Sequence, residues 1–121
     1  MTDDEIMVMA KPLDLLSVVE AISEECEDCD DGDRLTTAIK EENSCILDIT
    51  YYVSYTLEFY QGGGVGEILS HMANKRIDIT EMSLMVYDAA EEDFVPASPD
   101  YIPFNANQIE NEFYSYNNRS F

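Results

Sequence analysis

The chain has 121 residues, 45% of them hydrophobic, and sets 26 acidic side chains against 6 basic ones for a formal charge of −20. That length fits one domain with one modest core, spanning residues 1–121, and the apolar share with eight Tyr and five Phe excludes a disordered acidic tail, which has too little to bury. Direct binding to nucleic acid or to anionic lipid headgroups is disfavoured, because both repel a surface of this sign.

The start, Met1-Thr2-Asp3-Asp4-Glu5, is acidic where a secretory signal is basic and then apolar, and no apolar run approaches a membrane span. A cytoplasmic protein is expected. Residues 3 to 10 fit a helix or a strand equally well. From about Leu13 to Cys26, Leu15, Val18, Val19, Ile22 and Cys26 repeat at helical spacing and leave Asp14, Ser17, Glu20, Glu24 and Glu27 mainly on the other side, which predicts an amphipathic helix. The acidic run ends at the turn signal Asp31-Gly32-Asp33. A second short helix is expected from Asp33, as N-cap, to about Glu42, burying Leu35, Ala38 and Ile39.

Cys45, Leu47, Ile49, Tyr51, Val53, Tyr55, Leu57 and Phe59 occupy every odd position of one stretch, the period of a strand with one buried face. Its length exceeds the usual strand, so a bulge or bend, or a tight turn between two strands, is expected within it. After Gly62-Gly63-Gly64, Val65, Ile68, Leu69 and Met72 predict a helix over about Val65 to Lys75 that carries the only histidine, His71, beside a buried Met72. Ile77 to Asp88 and Phe94-Val95 predict a hairpin, and Pro96, Pro99 and Pro103 are expected to end regular pairing. A last helix over about Asn107 to Tyr116 would bury Ile109 and Phe113, leaving Asn117 onward loose. The sum is an α+β fold: an antiparallel sheet of about three to five strands, built around residues 45 to 60 and 77 to 97, with helices packed on one face.

No motif assigns an enzyme, a cofactor or a metal. The carboxylate run through Glu24-Glu25-Cys26-Glu27-Asp28-Cys29-Asp30-Asp31-Gly32-Asp33 fails the calcium-loop register, because Gly32 at the sixth position puts Cys29 third and Ala38 twelfth. Cys26-x-x-Cys29 could supply half of a zinc site, with Cys45 and His71 as the remaining candidates, but packing already accounts for Cys26 and Cys45. The Gly run followed by Gly66-Glu67 lacks the Lys and Ser or Thr of a phosphate loop.

The charge comes in two blocks: residues 1 to 33 carry net −11 and residues 78 to 112 net −9, with 34 to 77 nearly neutral. Self-repulsion of this size costs stability, so its use is expected outside the fold, on a basic partner. Duplex DNA carries one charge per roughly 1.7 Å of axis, so about twenty net charges equal those of roughly ten base pairs, and carboxylates three or four apart on a helix approach phosphate spacing. In composition, though not in any alignable motif, the chain resembles phage-encoded DNA-mimic inhibitors, the anti-restriction and anti-CRISPR proteins. That resemblance implies an inhibitor that occupies the basic nucleic-acid-binding surface of a host defence enzyme. The expected contact residues are Glu20, Glu24, Glu25, Glu27, Asp28, Asp30, Asp31 and Asp33, then Asp88, Glu91, Glu92 and Asp93, with Tyr87, Tyr101, Tyr114 and Tyr116 as anchors. An immunity protein or antitoxin neutralising a basic nuclease would share the acidity and size; a halophile housekeeping protein or an acidic adaptor are the other readings. Whether the two blocks share a face, and whether two copies form a homodimer that extends the charge track, is open at this level.

Overall fold

In a computed structural model, which describes residues 1–64, 66 and 68–118, the chain forms α1 (Asp3–Ala10), α2 (Leu15–Glu25), β1 (Arg34–Glu41), β2 (Cys45–Gln61), β3 (Ile68–Asp88), β4 (Asp93–Ala97), a 3-10 turn (Pro99–Tyr101) and α3 (Ala106–Asn117). The four strands make one antiparallel sheet in the order β1-β2-β3-β4, each strand beside its predecessor. The class is α+β. Among the described residues no helix is long and apolar enough to cross a membrane.

The core lies where the alternation of β2 points. Cys45, Leu47, Ile49, Tyr51 and Val53 are fully buried against Val18, Val19 and Ile22 of α2 and Ile109 and Phe113 of α3. Both helices are amphipathic in the register of their apolar residues and are closed by side-chain caps. Asp14 Oδ2 accepts from the Ser17 amide at 3.0 Å, and Asn105 and Gln108 form a reciprocal capping box. Residues 3 to 10, ambiguous in sequence, are helical, with the Thr2 hydroxyl capping and three acids in the favourable first turn. The long strand β2 does contain irregularities: its register with β3 shifts between Thr50 and Tyr51 and between Ser54 and Thr56.

Two predicted helices are strands. Residues 34 to 41 pair with β2 from Arg34↔Tyr52 to Glu41↔Cys45, so Leu35, Thr37 and Ile39 face inward and Ala38, expected inside, is exposed. Leu35, Ala38 and Ile39 satisfy the helical spacing and Leu35, Thr37, Ile39 the strand spacing; β-branched Thr36, Thr37 and Ile39 favour the pleated surface, and the open edge of β2 supplies the partner. Asp33 caps no helix: its carboxylate accepts from the Asp30 amide at 2.8 Å, and its carbonyl from the Val53 amide at 2.9 Å. Likewise residues 68 to 75 pair with β2 from Gln61↔Ile68 to Thr56↔Ala73 and beyond. Lys75, expected in the last turn of a helix, is buried in a strand, and Met72, expected buried, is exposed; Val65 lies outside the described residues. Pro96 pairs with Met85 without ending the ladder, because β4 is an edge strand whose outward side needs no donor. Asn117 closes α3 and Asn118 is held, its side chain donating to the Lys75 carbonyl at 2.8 Å while accepting from the Lys75 amide at 3.0 Å; residues 119 to 121 lie outside the described residues.

Candidate partner interface: two acidic ends

The first acidic cluster is assembled where α2 ends. Lys75 Nζ donates to the Cys26 carbonyl at 2.6 Å and Tyr55 Oη to the Cys29 carbonyl at 3.3 Å, tying the segment after α2 to the middle of β2 and β3. The turn that follows is stitched to the edge of β2: the Gly32 amide donates to the Val53 carbonyl at 2.7 Å, and the Tyr55 amide to Asp31 Oδ1 at 3.0 Å. Gly32 holds φ +89°, a left-handed conformation a side chain resists. Glu24, Glu25, Glu27, Asp28, Asp30 and Asp31 are exposed around this turn, and Asp33 is half-buried. Glu20 stands one helical turn before Glu24, and Glu20, Glu24 and Glu27 line one shallow groove with Tyr116.

The second cluster sits at one end of the sheet, whereas the first lies beside the middle of β2. The β3–β4 turn carries Asp88, Glu91, Glu92 and Asp93, and the Tyr87 amide donates to the Ser44 carbonyl at 2.8 Å, which brings the β1–β2 turn alongside. Glu41 and Glu42 thereby join this end. Sequence reasoning missed both by placing them on a helix; the Glu-Glu-Asn stretch before the β2 alternation was the available hairpin signal. The two ends do not coincide: Cys45 and Val53, beside which they lie, are separated by eight residues of β2, roughly 26 Å along the strand.

Several predicted contact carboxylates also build turns. Asp31 and Asp33 do so as above, Asp88 accepts from the Ala90 amide at 3.0 Å, and Asp93 from the Phe94 amide at 2.8 Å. Glu20, Glu24, Glu25, Glu27, Asp28, Asp30, Glu91 and Glu92 have no such structural role. Two placements cost stability. Glu24 and Glu25 occupy the last turn of α2, which has no basic residue, where the helix dipole disfavours negative charge. Glu92 holds φ +54°, a conformation that glycine or asparagine adopts more cheaply.

Almost none of this charge is neutralised by ion pairs among the described residues. Among the described residues the one ion pair is His71 Nε2 to Glu58 Oε2 at 3.2 Å, and it includes none of the clustered carboxylates. Of the bases, Lys40 lies over the Phe94 ring and Arg76 over the Tyr114 ring, each 5.8 Å from the centroid, and Lys75 is buried on a backbone carbonyl. Tyr114 is exposed; Tyr87 packs edge-on against Phe94, Tyr101 Oη donates to Asp3, and Tyr116 is half-buried against the core.

All three cysteines are buried free thiols, with Cys29 Sγ donating to the Cys26 carbonyl at 2.9 Å. Burial pushes the Cys26 and Cys45 thiols up to about 11 and raises Cys29 as well, with loss of hydration the largest cause in each. Among the described residues no group of three or more His, Cys, Asp or Glu is placed to hold a metal ion. Compared with family models, curated proteins and solved structures, the chain matches none.

Proposed function

We propose that this protein is an inhibitor that mimics nucleic-acid charge and occupies the basic nucleic-acid-binding surface of another protein, a host defence enzyme such as a CRISPR effector or a restriction enzyme. The supporting observation is that carboxylates in two clusters along the sheet stand exposed, form no ion pair with the bases among the described residues, and in part occupy positions that cost the fold stability. Backbone strain and adverse charge that survive without an internal benefit point to a use outside the fold. The separation of the ends favours a track over a single active-site mouth: roughly 26 Å matches about eight base pairs of duplex, and so favours mimicry over neutralisation of one nuclease active site. Affinity would come from pairing carboxylates with Lys and Arg that otherwise pair with phosphates.

The test is capture of partners from lysate of the source cells on the immobilised chain, followed by competition of the captured protein with labelled duplex DNA at several salt concentrations. Displacement by DNA that weakens as salt rises is expected, as is loss of capture when Glu24, Glu25, Glu27 and Asp28 are together replaced by Lys; single replacements at the rim matter little. A folded charge-reversed protein that still displaces DNA refutes the mimicry. A partner that binds while its DNA occupancy is untouched makes the protein an adaptor instead.

A further inference from the structure

β2 and β3 outrun the rest of the fold. β1 pairs with β2 only as far as Tyr52, and β4 with β3 only from Leu84 onward. Beyond those points the outer edges are still covered at first. On β2, Asp33 and Gly32 bond Val53, and Asp31 takes the Tyr55 amide; on β3, Glu110 takes the Ile79 amide at 2.9 Å and Asn118 takes both backbone groups of Lys75. From Thr56 to Gln61 and from Ile68 to Ala73 the two strands pair only with each other. They form a two-stranded arm about six residues long, roughly 20 Å beyond the core.

The core-facing alternation of β2 continues into this arm after the helices have ended. Directly paired residues share a face, so Leu57 with Met72, and Phe59 and Ile68 beyond them, form one strip. It is uncovered: Leu57 is 51%, Phe59 69%, Ile68 74% and Met72 38% exposed. Bare edges and an apolar face together are what monomeric proteins avoid, usually by placing charges there. Here the charge elsewhere is abundant and the arm is poor in it: from Val53 to Asn74 the sequence holds two acids, Glu58 and Glu67, of 26, and Glu58 is paired with His71 on the opposite face.

We infer that the arm's apolar strip is covered by the same strip of a second copy of this chain, in a two-fold dimer. Charge selects this occupant. A basic partner gains nothing from a charge-poor surface, whereas a chain of −20 can meet its own copy only where charge is absent. Two arms laid face to face also hold the acidic bodies apart by more than the Debye length of about 8 Å at physiological salt. Four partly buried side chains, each with less left to cover than the ~150–250 Å² of a whole aromatic, fall short of the ~800 Å² per partner of a standard interface, so the dimer is weak and concentration-dependent. The inference stands independently of the proposed function.

Sedimentation equilibrium of the full chain from roughly 1 to 200 μM tests it. The average mass is expected to climb from 13.8 kDa towards twice that value, and to climb earlier at 0.5 M salt than at 0.05 M, because salt screens the bodies but not the strip. Phe59→Ser with Ile68→Ser, both at exposed positions, should stay monomeric with an unchanged melting temperature; Leu57→Lys alone should do the same. Amide exchange in residues 56–61 and 68–73 should slow as concentration rises. A wild-type chain that stays at 13.8 kDa throughout overturns the inference, including the outcome in which the arm variants lose only a captured partner. So does a dimer that persists in both variants, or one that forms without added protection in the arm.

Discussion

Replacing Glu24→Gln, Glu25→Gln and Glu92→Gly together should make the protein more stable while weakening its hold on a basic partner. The two helix-end carboxylates oppose the dipole of α2 with no base in the last turn, a cost of about 0.3–1 kcal/mol each, or about 1 kcal/mol for the pair. Glu92 at φ +54° costs about 1 kcal/mol or more in left-handed strain, of which glycine's extra chain entropy returns all but about 0.5 kcal/mol. The total, about 1.5 kcal/mol, divided by an unfolding entropy near 2.1 cal/mol/K per residue for this chain length, gives a rise in melting temperature of roughly 6 °C. Circular dichroism melts at low salt measure it. At 1 M salt, where the Debye length is about 3 Å, the Glu24 and Glu25 share should fade while the Glu92 share persists. A triple variant that melts at or below the parent temperature refutes the reasoning that these carboxylates sit at a structural loss.

Three further outcomes are expected. The buried thiols make the fold alkali-sensitive: Cys26 and Cys45 are pushed up to about 11 by burial, so above pH 9 the unfolded chain has released protons that the folded one still holds. Stability is full below pH 9 and falls as the pH rises towards 11; urea midpoints at pH 8 and pH 10.5 should differ in that sense, and less so after Cys45→Ala, whose own loss is the same at both pH values. Lys75→Met should cost about 1–3 kcal/mol in urea unfolding, because it removes the charged donor bonded to the Cys26 carbonyl at 2.6 Å and leaves that carbonyl only the weak Cys29 thiol donor. Tyr51 Oη and Thr37 Oγ1 are bonded at 2.8 Å in the core, so Tyr51→Phe alone should cost about 1–3 kcal/mol, while adding Thr37→Val should recover much of it, a coupling that a double-mutant cycle reads directly.

What the sequence disclosed, and what it hid, divides by the length of the signal. The eight odd-position apolar residues from Cys45 to Phe59 admit one period, and Val18, Val19 and Ile22 or Ile109 and Phe113 sit in windows long enough to be helical only. Leu35, Ala38 and Ile39 have helical spacing while Leu35, Thr37 and Ile39 have strand spacing, and Ile68, Leu69 and Met72 make too short a helical set to exclude a strand; in such short windows an available sheet edge, helped at residues 36 to 39 by β-branched side chains, made the choice. The site inherited those errors. Two acidic blocks were visible as runs of charge, but their placement at two separate points along the sheet depends on which turns are hairpins. The membership of Glu41 and Glu42 followed from the same unseen hairpin, and the left-handed backbone of Glu92 has no trace in residue identity.

Because every strand pairs with its predecessor, the sheet can close hairpin by hairpin as the chain leaves the ribosome, yet α2 must wait for α3. Eighty residues separate Glu25 from Ala106, roughly 4–16 s of synthesis. For that interval the apolar face of Val18, Val19 and Ile22 lacks its cover from Ile109 and Phe113, while the like charge of nascent copies opposes their contact.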